Sequence, residues 1–247
     1  AERLDAVQAT EDQEEVARRF ERYNLVSSAV VDENDRLVGV LTVDDIVDVI
    51  QEEAEEDLRA LAGVGDEEIS DNVMTIARSR LTWLVVNLGT AVLASVVIAL
   101  FEDTIEAMVA LAVLMPIVAS MGGNAGTQTM TVAVRGIATQ ELSARNLMRV
   151  LNREVLVSFL NGLALAVLIG VTAWLWFSSV GLGVVIGSAI VINMLFAGLS
   201  GLLIPIALDR LNIDPAIASS VFVTTVTDVV GFFAFLGIAV LWFGLPF

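Results

Sequence analysis

PIVASMGGNAGTQTMT, residues 116–131, sits inside an apolar run from 107 to 134. The run is longer than the about 20 residues that a helix needs to cross a bilayer. Within it Pro116 removes a backbone donor, and Gly122, Gly123 and Gly126 relax the chain further. Ser120, Asn124, Thr127, Gln128, Thr129 and Thr131 crowd oxygen-bearing side chains into the same few turns. This pattern predicts backbone loosened from a regular helix. At membrane depth such backbone must be buried in protein or line a water-filled cavity, because lipid offers it no hydrogen bonds. The stretch therefore reads as part of a permeation path. The alternative is a helix kinked at Pro116 whose glycines serve close packing.

The rest of the chain places this stretch in a membrane protein. Of 247 residues 56% are hydrophobic, too many for an ordinary soluble domain. Five apolar segments, about 81–100, 107–134, 155–177, 182–208 and 216–242, each reach spanning length. Arg78 and Arg80 precede the first, Arg135, Arg145, Arg149 and Arg153 lie between the second and third, and Arg210 lies between the fourth and fifth. The other connections carry no Arg. By the positive-inside rule the N-terminal region is cytoplasmic and the C-terminus is outside a plasma (inner) membrane. Trp83, Trp174, Trp176 and Trp242 fall toward span ends, as interfacial anchors do. Gly183 and Gly187, and Gly198, Ser200 and Gly201 ahead of Pro205, read as helix-packing positions.

Composition narrows the chemistry. Cys and His are both absent, which removes thiolate sites and disfavours zinc, copper and imidazole catalysis. What remains for a metal is oxygen, which suits hard cations such as Mg2+ or Ca2+. The net charge of −17 is concentrated at the front: 22 Asp/Glu against 8 Arg up to Arg80, and 8 against 5 beyond it. That balance excludes nucleic acid as a partner. No Ser/His/Asp set, P-loop or metal-hydrolase pattern is found, so the chain does not read as an enzyme.

Ahead of the spans, EDQEEVARRFERY (11–23) has the spacing of an amphipathic helix. Residues 29–31 and 37–41 read as strands of a hairpin closed by the turn sequence DEND at 32–35. Thr42 is placed to cap a helix starting VDDIVDVI, with Asp44 and Asp45 at its positive end. QEEAEEDLRAL (51–61) continues as a strongly acidic helix, broken at Gly63 and Gly65. These acids read either as a solvated face or as groups that concentrate or bind cations beside an entrance.

Asp228 is the ionisable residue deepest in any span. A charge there costs roughly 2.5–3.5 kcal/mol on insertion scales, so it marks a function by default. It lies 12 residues from the cytoplasmic start of the fifth span, and Gly123 lies 12 from Arg135 at the cytoplasmic end of the second. At 1.5 Å per residue both sit about 18 Å from that border. Thr224, Thr225 and Gly231 fall on or near the Asp228 face. A structural carboxylate bonded to Thr224 or Thr225 is the alternative. One carboxylate with amide, hydroxyl and carbonyl oxygens cannot cage a bare Mg2+, but suits an ion that keeps its waters and must be released.

Residues VVDENDRLVGVLTVDDIVDVI resemble the second half of a CBS motif. With GGNAGTQ in the second span and TTVTDVVG in the fifth, the whole chain resembles the MgtE family of Mg2+ channels and transporters. The resemblance implies a mainly α membrane protein: a partial CBS domain over 1–50, an acidic plug or linker helix over 51–80, and a five-helix pore domain over 81–247. It implies a homodimer with a pore lined by the second and fifth spans. Mg2+ would be held at Asp228, with Gly123, Thr127 and Thr131 contributing and Asn124 beside them. Family members often carry Asn where this chain has Thr127, which bears on selectivity there. Asp45, Asp48, Glu53, Glu56 and Asp57 match regulatory Mg2+ positions that hold the pore closed. Because CBS motifs work in pairs and the chain starts without Met, an upstream part is expected, and closure by Mg2+ is expected to be weakened without it. CBS units also bind adenosine nucleotides, which makes Thr42 and Asp45 candidates for ATP. Other divalent cations (Ca2+, Mn2+, Co2+) through the same path, or a nucleotide-sensing membrane protein, are the remaining alternatives.

Overall fold

The computed structural model describes residues 6–64, 72–142 and 145–247, the side chains of residues 57, 217 and 218 excepted. The chain divides into two compact units, Ala1–Ala62 and Gly63–Phe247.

The first unit is a three-stranded sheet with two helices. Strand β1 (Val7–Gln8) pairs parallel to β2 (Ser27–Val31), which pairs antiparallel to β3 (Leu37–Thr42). Asp32 closes the hairpin by accepting from the backbone N–H groups of Asn34 and Arg36, both at 2.9 Å, while Asp35 takes the left-handed conformation that short polar residues tolerate. Helix α1 (Gln13–Tyr23) starts where Asp12 accepts from the Glu14 N–H and stops at Asn24, again left-handed. Val7, Val16, Ala17, Phe20 and Ile46 form the core between sheet and helices. Helix α2 (Val43–Leu61) runs unbroken from the Thr42 cap through the acidic segment. The short β1 has too few residues to show a period of two and is legible only by its pairing. Leu37, Val38, Val40, Val43, Val47 and Ile50 leave an exposed apolar surface on this unit.

The second unit contains five helices long and apolar enough to cross a membrane: α3 (Val73–Ala99), α5 (Ala110–Ala138), α6 (Leu147–Phe177), α7 (Val180–Arg210) and α8 (Pro215–Phe243). They match the five expected spans and extend beyond them on the Arg-bearing side. Arg78, Arg80, Arg149 and Arg153 stand inside helices, since the backbone ladder continues where the apolar pattern ends. A short α4 (Glu102–Ala107) fills the connection after α3. Helix α7 is the hub. It packs against α5, α6 and α8, and its own face from Leu182 to Leu208 supplies much of the core. Leu111, Leu114, Val118, Ile186, Ile190, Phe235 and Leu236 are fully enclosed around it. Helix α3 packs on α8 and buries only Ala94.

One expectation is corrected here. The Pro116–Thr131 stretch is not loosened backbone: α5 is helical throughout, with Pro116 inside it. Pro116, the seventh residue of α5, gives up one i→i−4 bond without ending the helix, and the glycines serve close approach instead. A Cβ on Gly126 would lie 2.5 Å from Val223 Cγ1, and one on Gly201 would lie 2.6 Å from the Gly126 carbonyl oxygen. The helices meet there backbone to side chain at Gly126 and backbone to backbone at Gly201, which is what the small residues of membrane helices permit.

Candidate ion site

Because α5 is regular, Gly123, Thr127 and Thr131 recur at one-turn intervals and form a stripe along it. Asn124, Thr127 and Thr131 are exposed on the single chain and Gly123 is partly so, whereas Gly122 and Gly126 turn inward against α7 and α8. The Thr127 hydroxyl donates to the Gly123 carbonyl and that of Thr131 to the Thr127 carbonyl, each at 2.9 Å. Asn124 Nδ2 reaches Ser120 Oγ at 3.4 Å. With their protons tied to the helix, the threonine oxygens offer outward lone pairs only. That is the polarity that the water shell of a cation needs, since its waters donate.

Helix α8 brings the carboxylate. Asp228 is half-buried and has no hydrogen-bond or ion-pair partner among the described residues. The hydroxyls one turn back are committed elsewhere: Thr224 donates to the Ser220 carbonyl at 2.9 Å and Thr225 to the Val221 carbonyl at 2.6 Å. Neither bonds Asp228, so the structural role considered for the carboxylate lacks its partners. The two helices share a level. A Cβ on Gly123 would stand 4.0 Å from Thr224 Cγ2, one turn from Asp228.

Two polar residues that the sequence did not single out stand behind this face. Asn193, at the middle of α7, is fully buried and donates from Nδ2 to the Val118 carbonyl of α5 at 2.9 Å. Glu154 lies within α6 and accepts from the buried Thr129 hydroxyl at 2.7 Å, lining a cavity of ≈ 240 Å³ with Thr129, Arg153 and Asn146. An amide in mid-span was a visible signal for Asn193. Glu154 fell just outside the apolar window, where a carboxylate attracts no notice.

In the first unit Thr42 and Asp45 are engaged with each other. Asp45 accepts from the Thr42 N–H at 2.8 Å and from its hydroxyl at 2.7 Å, and these bonds, the hydroxyl's foremost, hold the Asp45 carboxyl below its ordinary value of 3.8. Glu53 accepts from Gln13 Nε2 at 2.8 Å. Asp48 and Glu56 are exposed, and the Asp57 side chain lies outside the described residues. Among the described residues no three acids come together as a metal site.

Five bilayer-length helices packed around α7, preceded by a small α/β unit, define a multi-pass membrane protein. A family model described as a divalent cation transporter, MgtE, matches residues 115–238, and a CBS domain model matches residues 3–52. The chain belongs to the MgtE family. It is 39% identical over 238 residues to the magnesium transporter MgtE of Bacillus subtilis, covering 96% of this chain and 53% of that one. It is 37% identical over 238 residues to the namesake from Enterococcus faecalis, with 96% and 52% covered. Against the namesake from Thermus thermophilus it is 38% identical over 239 residues, with 94% and 52% covered. The chain thus spans about half the length of the curated relatives it matches.

Proposed function

We propose that this chain moves Mg2+ across the plasma membrane through a pore formed by two copies, with Asp228 and the Gly123–Thr127–Thr131 stripe as the ion site. The observation that carries the proposal is the unpartnered carboxylate at the level of an outward-facing row of oxygen acceptors. Such a set holds a hydrated dication through its waters and releases it readily. Homodimerisation is supported by the exposure of that row on the single chain. A polar stripe at membrane depth needs protein or water beside it, and a second copy supplies both. The distribution of Arg supports a cytoplasmic N-terminus and an external C-terminus. Transport, rather than catalysis, is the activity, and the names of the relatives support this.

The acidic residues Asp45, Asp48, Glu53, Glu56 and Asp57 are proposed to sense cytoplasmic Mg2+, with 51–80 as the gating linker between the CBS part (1–50) and the pore part (81–247). Among the described residues no three acids converge, so the sensed ion is proposed to be shared with a second surface. Exposed apolar residues from Leu37 to Ile50 fit a paired CBS-type unit. ATP at Thr42 and Asp45 would have to compete with the bonds those residues make to each other, which favours Mg2+ over nucleotide as the regulator.

The test is flux into liposomes carrying the purified protein, driven by a Mg2+ gradient, with Ca2+, Mn2+ and Co2+ as competitors. Saturable Mg2+ entry only weakly inhibited by the other ions is expected. No Mg2+ entry above protein-free liposomes, or preferred entry of another ion, overturns the proposal.

A further inference from the structure

We infer that Asn193 is a positioning residue for the ion path: its side-chain amide is a spacer that sets the separation of α5 and α8 at the level of Asp228. The inference rests on the proposal that those two helices line the path. Asn193 is fully buried at the junction of α5, α7 and α8. Its amide is pressed between two glycines. A Cβ on Gly122 of α5 would lie 2.3 Å from Nδ2, and one on Gly231 of α8 would lie 2.6 Å from the same atom. Both distances are far inside contact, so the planar amide touches the two backbones at once and neither helix can close further. The Nδ2 bond to the Val118 carbonyl, 2.9 Å, fixes the amide along α5, and Val118 itself abuts Gly231, whose added Cβ would sit 3.1 Å from Val118 Cγ1.

This spacer lies within one turn of Gly123 and Asp228, the nearest of the groups proposed for the ion. Gly122 adjoins Gly123, which faces Thr224, and Gly231 follows Asp228 by three residues. Asn193 Oδ1, meanwhile, has no partner among the described residues. A buried acceptor without a donor is destabilising, and a leucine of nearly the same shape would remove that penalty. A residue that merely filled the junction would therefore be served better by leucine. Leucine would space the helices about as well, so what the amide adds is the Nδ2 tie to the Val118 carbonyl, which fixes α5 against α7 beside the path.

The experiment compares Asn193→Leu with the unaltered protein in the liposome assay and in thermal unfolding in detergent. The expected result is a split. The melting temperature stays level or rises, while the Mg2+ concentration for half-maximal flux, or the preference for Mg2+ over Ca2+, moves by about tenfold, as loss of an outer support to a metal site does. Asn193→Ser, which also loses the reach to Val118 but keeps a small polar group, is expected to show the same functional shift and stands in if the leucine variant aggregates. Unchanged half-saturation and unchanged ion preference in a folded variant overturn the positioning role. If flux is also unaffected by Asp228→Asn, the path itself has been misassigned, so the two failures are told apart.

Discussion

Asp228 and Asp45 are carboxylates with opposite surroundings. The first is half-buried in α8 with no donor among the described residues. A negative group left so at membrane depth is stabilised by an arriving cation and by little else. Asp228→Asn keeps the shape and removes the charge, so Mg2+ flux should fall at least about tenfold, which corresponds to about 1.4 kcal/mol, with thermal unfolding no worse than before. Liposome flux and a melting curve check both halves. Asp45 is held by two donors from Thr42, which favour its ionised form. Its folded value is depressed, so its contribution to stability is present above the unfolded value of 3.8 and is lost as pH falls through the lower folded one. A carboxyl NMR titration should place Asp45 below 3.8. Thr42→Val should move it part of the way back, since the hydroxyl bond goes and the backbone N–H bond stays.

At the scale of elements, the architecture depends on how closely α5, α7 and α8 approach one another. Pro116 and the glycines leave α5 a continuous helix, and continuity is what aligns Gly123, Thr127 and Thr131 on one face. The inward glycines do the packing. A Cβ on Gly126 would lie 2.5 Å from Val223 Cγ1, whereas nothing lies within 4 Å of one on Gly237. Gly126→Ala should therefore destabilise the helix bundle by about 1–3 kcal/mol, the usual cost of overpacking. Gly237→Ala should be neutral or stabilise it by up to about 1 kcal/mol, because alanine is the better helix former. Denaturant or thermal unfolding of the two variants side by side distinguishes packing from propensity.

At the scale of the whole molecule, α5 presents oxygen-bearing Asn124, Thr127 and Thr131 on an open surface. In the proposed dimer these rows face each other across the ion path. The chain has no cysteine, so a single introduced thiol reports cleanly. Thr127→Cys should be joined to a second copy by a short bismaleimide in native membranes, and Mg2+ at high concentration should slow the reaction by occupying the path. Leu175→Cys, exposed on α6 of the single chain and assigned to lipid in the proposed arrangement, should not cross-link. Equal cross-linking at both positions would contradict a pore on the α5 side.

How much of this was legible beforehand follows from the range of the forces involved. Spans, caps, the hairpin turn and the acidic helix are local: bilayer thickness, capping chemistry and hydrophobic period act on neighbours in the chain and can be read from it. Asp228 stood out for the same reason, as one charge in a long apolar run. The state of the 116–131 backbone was misjudged, because glycine and proline lower the cost of leaving the helix without requiring departure from it. What kept α5 helical was the fit of Gly122, Gly126 and Gly201 to partners about 70 to 100 residues away, where close packing outweighs propensity. Which glycines turn inward, which threonine oxygens face out, and that Asn193 wedges between two helices were decided by tertiary contact alone. The amino-acid sequence by itself determined the membrane class and the donor chemistry. Only the packing of three helices determined which of those donors meet, because side-chain direction around a helix axis is set by what presses against it.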